Sequence, residues 1–227
     1  SGNIENAILR LPKFGKHQEI IFIEGNSSDD TWQKIQAIQQ KYKDTHDIKI
    51  GQQTGKGKGD AVRKGYSMAT CDILMILDAD LTMPPEELPK FYNAIATGKG
   101  EFINGSRLVY PMDKEAMRFL NTLGNKFFSW VFSWLLEQPI KDSLCGTKVM
   151  FRTDYLKLTE NRKFFGDFDP FGDFDLLFGA YKLNLKIIDL PIRYRERTYG
   201  TTNISRFSNG WMLLRMCWFA AGKIKFW

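Results

Sequence analysis

The chain has little of what marks several common protein classes. Its 227 residues hold three cysteines, Cys71, Cys145 and Cys217, with no C-x-x-C pair among them. That excludes a disulfide framework and reads as unpaired thiols in a reducing, cytosolic compartment. There are two histidines, His17 and His46. Isolated along the chain, they read as surface residues and not as the centre of a metal cluster. No apolar run reaches the roughly 20 residues needed to span a bilayer, and no signal peptide is visible. Internal repeats and low-complexity linkers are absent, which leaves one domain and a C-terminal extension. The P-loop pattern G-x-x-x-x-G-K-[ST] does not occur.

What the chain does have is apolar content and positive charge. At 43% apolar residues it can bury one good-sized core. A net charge of +6 and a pI of about 9.1 favour anionic partners such as nucleotides and phospholipid headgroups. Apolar runs at Glu19–Ile23, Ile48–Ile50, Ile73–Leu77 and Glu101–Asn104 alternate with helical patterns at 31–42, 60–69 and 86–97. Strands alternating with helices predict an α/β fold with a parallel, doubly wound sheet to about residue 105. Beyond it, helices are predicted over 114–136, 173–183 and 211–227, and strands over 148–151 and 186–190.

The densest chemistry follows the third strand. In Ile73-Leu-Met-Ile-Leu-Asp78-Ala79-Asp80 two carboxylates stand one residue apart after a buried strand. In an extended chain they leave on the same side. Paired hard oxygen donors at a strand's C-terminal end suit Mg²⁺ or Mn²⁺ shared with a phosphate. Pro84-Pro85 is expected to stop this strand before the next helix.

Other segments admit two readings each. Gly55-Lys56-Gly57-Lys58-Gly59-Asp60 opens a helix and is either a flexible surface loop or a backbone cradle for an anion. Asp142-Ser-Leu-Cys-Gly-Thr-Lys148 is a connector or an acceptor loop with Lys148 near phosphate oxygens. Asp173 and Asp175 start a helix, either as caps or as a general base for transfer to a hydroxyl. Arg193 to Arg206 is a solvated basic loop or a clamp for a diphosphate leaving group. The Phe/Trp-rich helices near 127–136 and 211–221 are core or membrane-interface elements, the second favoured for the interface by Lys223 and Lys225. None of the common nucleic-acid-binding folds matches, so no nucleic-acid partner is expected.

In order, these motifs resemble the family 2 glycosyltransferases of GT-A fold, and within them the dolichyl- or polyprenyl-phosphate mannosyl- and glucosyltransferases. The matching stretches are Glu24 to Thr31, Gly55 to Ala61, Leu77 to Thr82, Gly105-Ser-Arg107, Asp142 to Lys148, Phe174 to Leu177, and Leu190 through Arg197 and Gly200. The resemblance implies a Rossmann-like mixed, mostly parallel sheet with flanking helices and a C-terminal amphipathic helix. The catalytic domain would cover 1–207, and the helix, which the resemblance sets at a membrane, 208–227. It also implies that Asp78 and Asp80 bind the metal and, with Ala79, the ribose–diphosphate. Glu24 would lie by the nucleotide base, Arg107, Lys148 and Arg197 would meet phosphates, and Asp175 would lie near the acceptor. Lys56, Lys58 and Asp60 join the substrate-binding set.

The implied reaction is inverting transfer of a hexose from a nucleotide-diphosphate sugar to a polyprenyl phosphate, at the cytoplasmic face of the membrane. A sugar hydroxyl in cell-envelope polysaccharide synthesis, nucleotidyl transfer, and a non-catalytic nucleotide-sugar binding module are the alternatives. The chain departs from the family at Gly25, where a second acidic residue is usual, and at Leu144, where Gln is frequent. The family also begins with an apolar strand and a Pro-x-x-Asn-Glu loop, and Ser1 falls just past both. A central strand ahead of Ser1 is therefore expected, with unpaired edges and poor solubility where it is missing.

Overall fold

A computed structural model of the chain describes residues 2–109, 119–160, 172–195 and 206–226. A short helix, α1 (Ile4–Leu9), precedes β1 (Glu19–Glu24), α2 (Thr31–Tyr42), β2 (Asp47–Gln52), α3 (Gly57–Met68) and β3 (Ile73–Met75). A 3₁₀ turn at Pro85–Glu87 leads into α4 (Leu88–Ala96), then β4 (Phe102–Ser106). After these come α5 (Phe119–Leu136), β5 (Lys148–Phe151), α6 (Arg152–Glu160), α7 (Asp173–Lys182), β6 (Ile187–Pro191) and α8 (Arg206–Lys225).

Strands β1 and β2 pair in parallel, from Glu19 opposite Asp47 to Glu24 opposite Gln52. The other four form a second sheet in the order β3-β5-β4-β6. There β5 runs antiparallel to both β3 and β4, while β4 and β6 are parallel. This sheet is thus mixed as expected, but less parallel: two of its three pairings are antiparallel. The reason is β5. It enters after α5 without a crossover that would reverse it, and lies between β3 and β4.

Period-2 alternation sorts the core onto both faces of this sheet. Ile103 and Val149 point to one face, against Leu88, Phe91 and Ile95 of α4. Phe102 and Met150 point to the other, against Phe132 and Leu136 of α5, Phe174 and Phe178 of α7, and Met216 and Ala220 of α8. Phe132 stacks on Phe178 at a centroid distance of 5.4 Å.

Each aromatic helix is core on one face and exposed on the other. In α5, Phe128, Phe132 and Leu135 are buried while Phe127, Trp130 and Trp134 are exposed. In α8, Leu213, Met216 and Cys217 are buried while Trp211 and Trp218 are exposed. No described helix is long and apolar enough to cross a membrane.

The sequence patterns did not reveal α1 or α6, which are short. Residues 114–118 of the helix expected over 114–136 lie outside the described residues. The third strand is shorter than its apolar run. It pairs only over Ile73–Met75, well before Pro84, so the prolines do not end it.

Candidate functional site

The C-terminal ends of β1, β2 and β4, the turn after β3 and the loop leading into antiparallel β5 carry most of the polar residues of interest. Ile76 donates its N–H to the carbonyl of Lys148 (3.0 Å), holding the chain beside β5 just past β3. The chain then turns. Leu81 N–H bonds back to Asp78 O (3.0 Å), and Leu81 takes a positive φ of 54°. Asp78-Ala79-Asp80 is therefore a turn and not the end of a strand, so the alternation argument for the two carboxylates does not apply. The turn itself orients Asp80: its Oδ1 accepts from Thr82 N (3.1 Å) and Thr82 Oγ1 (2.8 Å). Asn3, not singled out by sequence, braces the same turn. Its Nδ2 donates to Ala79 O and Asp80 O, each at 3.2 Å.

Asp78 is the electrostatic centre of the site. Lys58 Nζ lies 2.7 Å from Asp78 Oδ1. Burial pushes this carboxyl up, but Lys58, with Lys148 and Arg107 behind it, more than offsets that and holds it below the ordinary range. Gly146 forms one wall. A Cβ there would stand 2.0 Å from Asp78 Oδ2 and 2.2 Å from Lys58 Nζ, so the backbone approaches as only glycine allows.

Lys58 is placed by its loop. Lys56 is the extended N-cap residue of α3, and Gly57 has a φ of 82°. Asp60 lies within the first turn of α3 rather than opening it, and its Oδ2 accepts from Gly55 N (2.7 Å), closing the loop. The start of α7 packs on this turn. A Cβ on Gly172 (φ 70°) would come within 2.7 Å of Gly59 Cα. Asp175, one turn into α7, is buried. The Asp173 side chain lies outside the described residues, as does Arg197.

Arg107 and Lys148 are more enclosed than a phosphate-clamp reading assumes. Arg107, just past β4, forms a bidentate pair with Asp142, Nε to Oδ2 at 2.7 Å and NH2 to Oδ1 at 2.8 Å. Asp142 also accepts from Arg107 N (3.0 Å), Asn125 Nδ2 (3.0 Å) and Leu144 N (3.1 Å). Burial works against both charges, yet the pairing holds Asp142 low and Arg107 high. The Arg107 guanidinium also lies 5.4 Å from the Tyr194 ring centroid. Lys148 is fully buried and its ammonium donates to Cys145 O, so its charge acts on Asp78 from inside the core. Asp142 and Gly146 belong to the Asp142–Lys148 segment, and only the folded loop shows what they hold.

Glu24 ends β1 and is buried. Its carboxylate accepts from Ser27 N and from Gln52 Nε2 (3.1 Å), which fixes the turn after β1. Burial pushes its pKa up, but these bonds outweigh that and leave it lowered. A Cβ on Gly25 would meet only ordinary contacts with Gln53, so the missing acidic side chain there leaves room and no steric conflict.

His17 is not isolated. Its Nε2 is 2.9 Å from Asp47 Oδ2, and its ring nitrogen, a Glu19 oxygen and Cys71 Sγ lie within 4.8 Å of one another. Glu19 is already bound by Lys49 (2.5 Å), Thr70 N (2.8 Å) and Cys71 N (3.1 Å). This cluster sits at the N-terminal ends of β1 and β2, opposite the ends that lead to Glu24.

Comparison with known proteins gives the family and the fold. The sequence profile described as Glycosyl transferase family 2 matches residues 2–164. A dolichol-phosphate mannosyltransferase of Pyrococcus furiosus is 36% identical over 149 residues, 63% of this chain and 41% of that protein. A dolichyl-phosphate hexose transferase of Haloferax volcanii is 28% identical over 165 residues, 71% of this chain and 67% of that one. The chain thus spans less than half the length of the Pyrococcus relative. Among solved structures, residues 1–349 of S. aureus TarS superpose with a TM-score of 0.58 at 14% identity, over 100% of this chain and 62% of that fragment. TarS has also been solved with UDP-GlcNAc. At that identity the likeness is one of fold, and the fold is the expected GT-A type.

Proposed function

Since the chain belongs to glycosyl transferase family 2, we propose that it moves a hexose, with inversion, from a nucleotide-diphosphate sugar to a polyprenyl phosphate at a membrane surface. The observation that carries this reading is the charge pattern around Asp78: an ionised, partly exposed carboxylate backed by Lys58, Lys148 and Arg107. One carboxylate among three cations suits a ligand that is itself anionic and metal-bound. The dolichol-phosphate substrates in the names of the Pyrococcus and Haloferax relatives support the lipid acceptor.

The donor set fits a hard divalent cation. Asp78 is ionised and Asp80 is oriented by Thr82, so these two would hold Mg²⁺ or Mn²⁺. Bound there, the ion would supply charge neutralisation for the departing diphosphate. Lys58 and the start of α3 add positive charge and N–H donors beside it. Arg107, locked by Asp142, contributes field rather than a mobile clamp. Asp175, buried in the first turn of α7, would orient the acceptor. A lipid phosphate is already an anion near neutral pH, so it needs no strong base.

The test is an assay of the full-length protein with Mn²⁺, UDP- and GDP-sugars and a polyprenyl phosphate. The expected result is nucleoside diphosphate release that requires the lipid and vanishes in Asp80→Ala. Pyrophosphate release would mean nucleotidyl transfer, and release without lipid would point to water or another acceptor.

A further inference from the structure

Lys58 occupies the side of Asp78 that a metal ion would need. Its ammonium is 2.7 Å from Asp78 Oδ1, and Gly146 closes in on Asp78 Oδ2 and Lys58 Nζ together. A cation that takes Asp78 Oδ1 as a ligand competes with Lys58 for that oxygen. A divalent ion and an ammonium a few ångströms apart repel strongly at the effective dielectric of a protein surface, so both do not stay on one carboxylate unless an anion is added.

We infer that Lys58 is an exchangeable counter-ion: it neutralises Asp78 in the empty site and moves onto the donor's diphosphate when a divalent ion takes its place. This deepens the proposed donor site and rests on it. The loop makes the exchange short. Lys58 sits in the first turn of α3 after Gly57, while the backbone below it is fixed by Asp60 bonded to Gly55 and by Gly172 packed on Gly59. Only the side chain needs to swing. The helix N-terminus that carries it already favours an anion.

The consequence is coupling between metal and nucleotide. Metal alone must break the Lys58–Asp78 pair with nothing in exchange. With a diphosphate present, the ammonium gains a new partner. Each ligand should therefore raise the affinity of the other by the same factor. Lys58→Met removes the competitor and also the diphosphate contact. It should bind metal alone more tightly and respond less to nucleotide.

The experiment is Mn²⁺ titration followed by electron paramagnetic resonance on the full-length protein, with and without UDP or GDP, corrected for Mn²⁺ bound by free nucleotide. Expected for the native protein is weak binding of Mn²⁺ alone and a gain of about tenfold or more with nucleotide. In Lys58→Met the binding of Mn²⁺ alone should tighten and the gain should shrink. Lys58→Arg, which keeps the charge, should keep the gain. An unchanged affinity and an unchanged gain in Lys58→Met would overturn the exchange while leaving the donor site intact. No Mn²⁺ binding by either protein, with or without nucleotide, would overturn the metal assignment and this inference together.

Discussion

Arg107 and Asp142 meet through two parallel hydrogen bonds of 2.7 and 2.8 Å, with the Asp142 side chain wholly removed from solvent. Removing one member of such a pair leaves the other charge buried and uncompensated, at a cost of about 3–5 kcal/mol. Asp142→Asn is therefore expected to lower stability by that order, read from urea unfolding. The double change Arg107→Met with Asp142→Leu should recover much of the loss, because replacing both charges with apolar groups is often close to neutral. Activity should not recover with it, since Asp78 would lose part of the field that keeps it ionised.

Gly146→Ala separates the site from the fold. The added methyl would collide with Asp78 Oδ2 and Lys58 Nζ. Both are tips of side chains that can move aside, so the stability cost should fall below the roughly 1–3 kcal/mol of core overpacking. Moving them aside dismantles the charge arrangement. Nucleoside diphosphate binding, measured by calorimetry, is expected to fall by at least about tenfold, or about 1.4 kcal/mol, with circular dichroism unchanged.

Much of this arrangement is legible in the chain. The buried positions Leu88, Phe91 and Ile95 of α4 follow from helical spacing, and β1 and β5 follow from apolar runs. What is not legible depends on contacts far apart in sequence. The apolar run after Ile73 reads as one strand, but only three residues find a partner in β5. The remainder bends into the turn that places Asp78. Asn3 braces that turn from 76 residues away, and no local pattern marks it. Asp142 reads as a loop residue, because only the fold brings Arg107 to it. His17 looks solitary until β1 pairs with β2 and sets it beside Asp47.

Asp175→Asn tests which acceptor the site is built for. The carboxylate is buried in α7, where it can orient a substrate or take a proton. If the acceptor is a lipid phosphate, no proton has to be removed, and turnover should fall less than tenfold. A loss of about 10²–10⁴ would identify Asp175 as a general base acting on a hydroxyl. Single-turnover measurement at saturating donor isolates this step.

Acid stability should depend on Glu19. Burial pushes its carboxyl up, but Lys49, Thr70 and the Cys71 backbone outweigh that and hold it at about 2, against an ordinary 4.5. The folded value lies below the unfolded one. Its stabilisation is therefore complete above about pH 4.5 and is lost as pH falls toward 2. Glu19→Gln should cost on the order of 2–3 kcal/mol at neutral pH. The gap between variant and native protein should close in urea titrations taken stepwise toward pH 2.

The outward aromatic faces of α5 and α8 lead to the last prediction. Trp130 is 70% exposed and Trp218 86% exposed, while the opposite faces of both helices are buried in one core. Neither indole supports that core, so Trp130→Ser with Trp218→Ser should leave thermal unfolding almost unchanged. Tryptophan at a bilayer surface places its ring among headgroups and acyl chains. The same region carries Lys223 near Phe219 and Lys225 near Trp134, and lysines beside such rings add attraction to anionic lipid. The native protein should therefore co-sediment with anionic vesicles, less so at high salt because surface charge is screened. The double variant should lose most of the salt-resistant part, which is the share owed to apolar insertion. If the variant binds vesicles as the native protein does, another protein surface covers these indoles, and the route to a lipid acceptor lies elsewhere on the molecule.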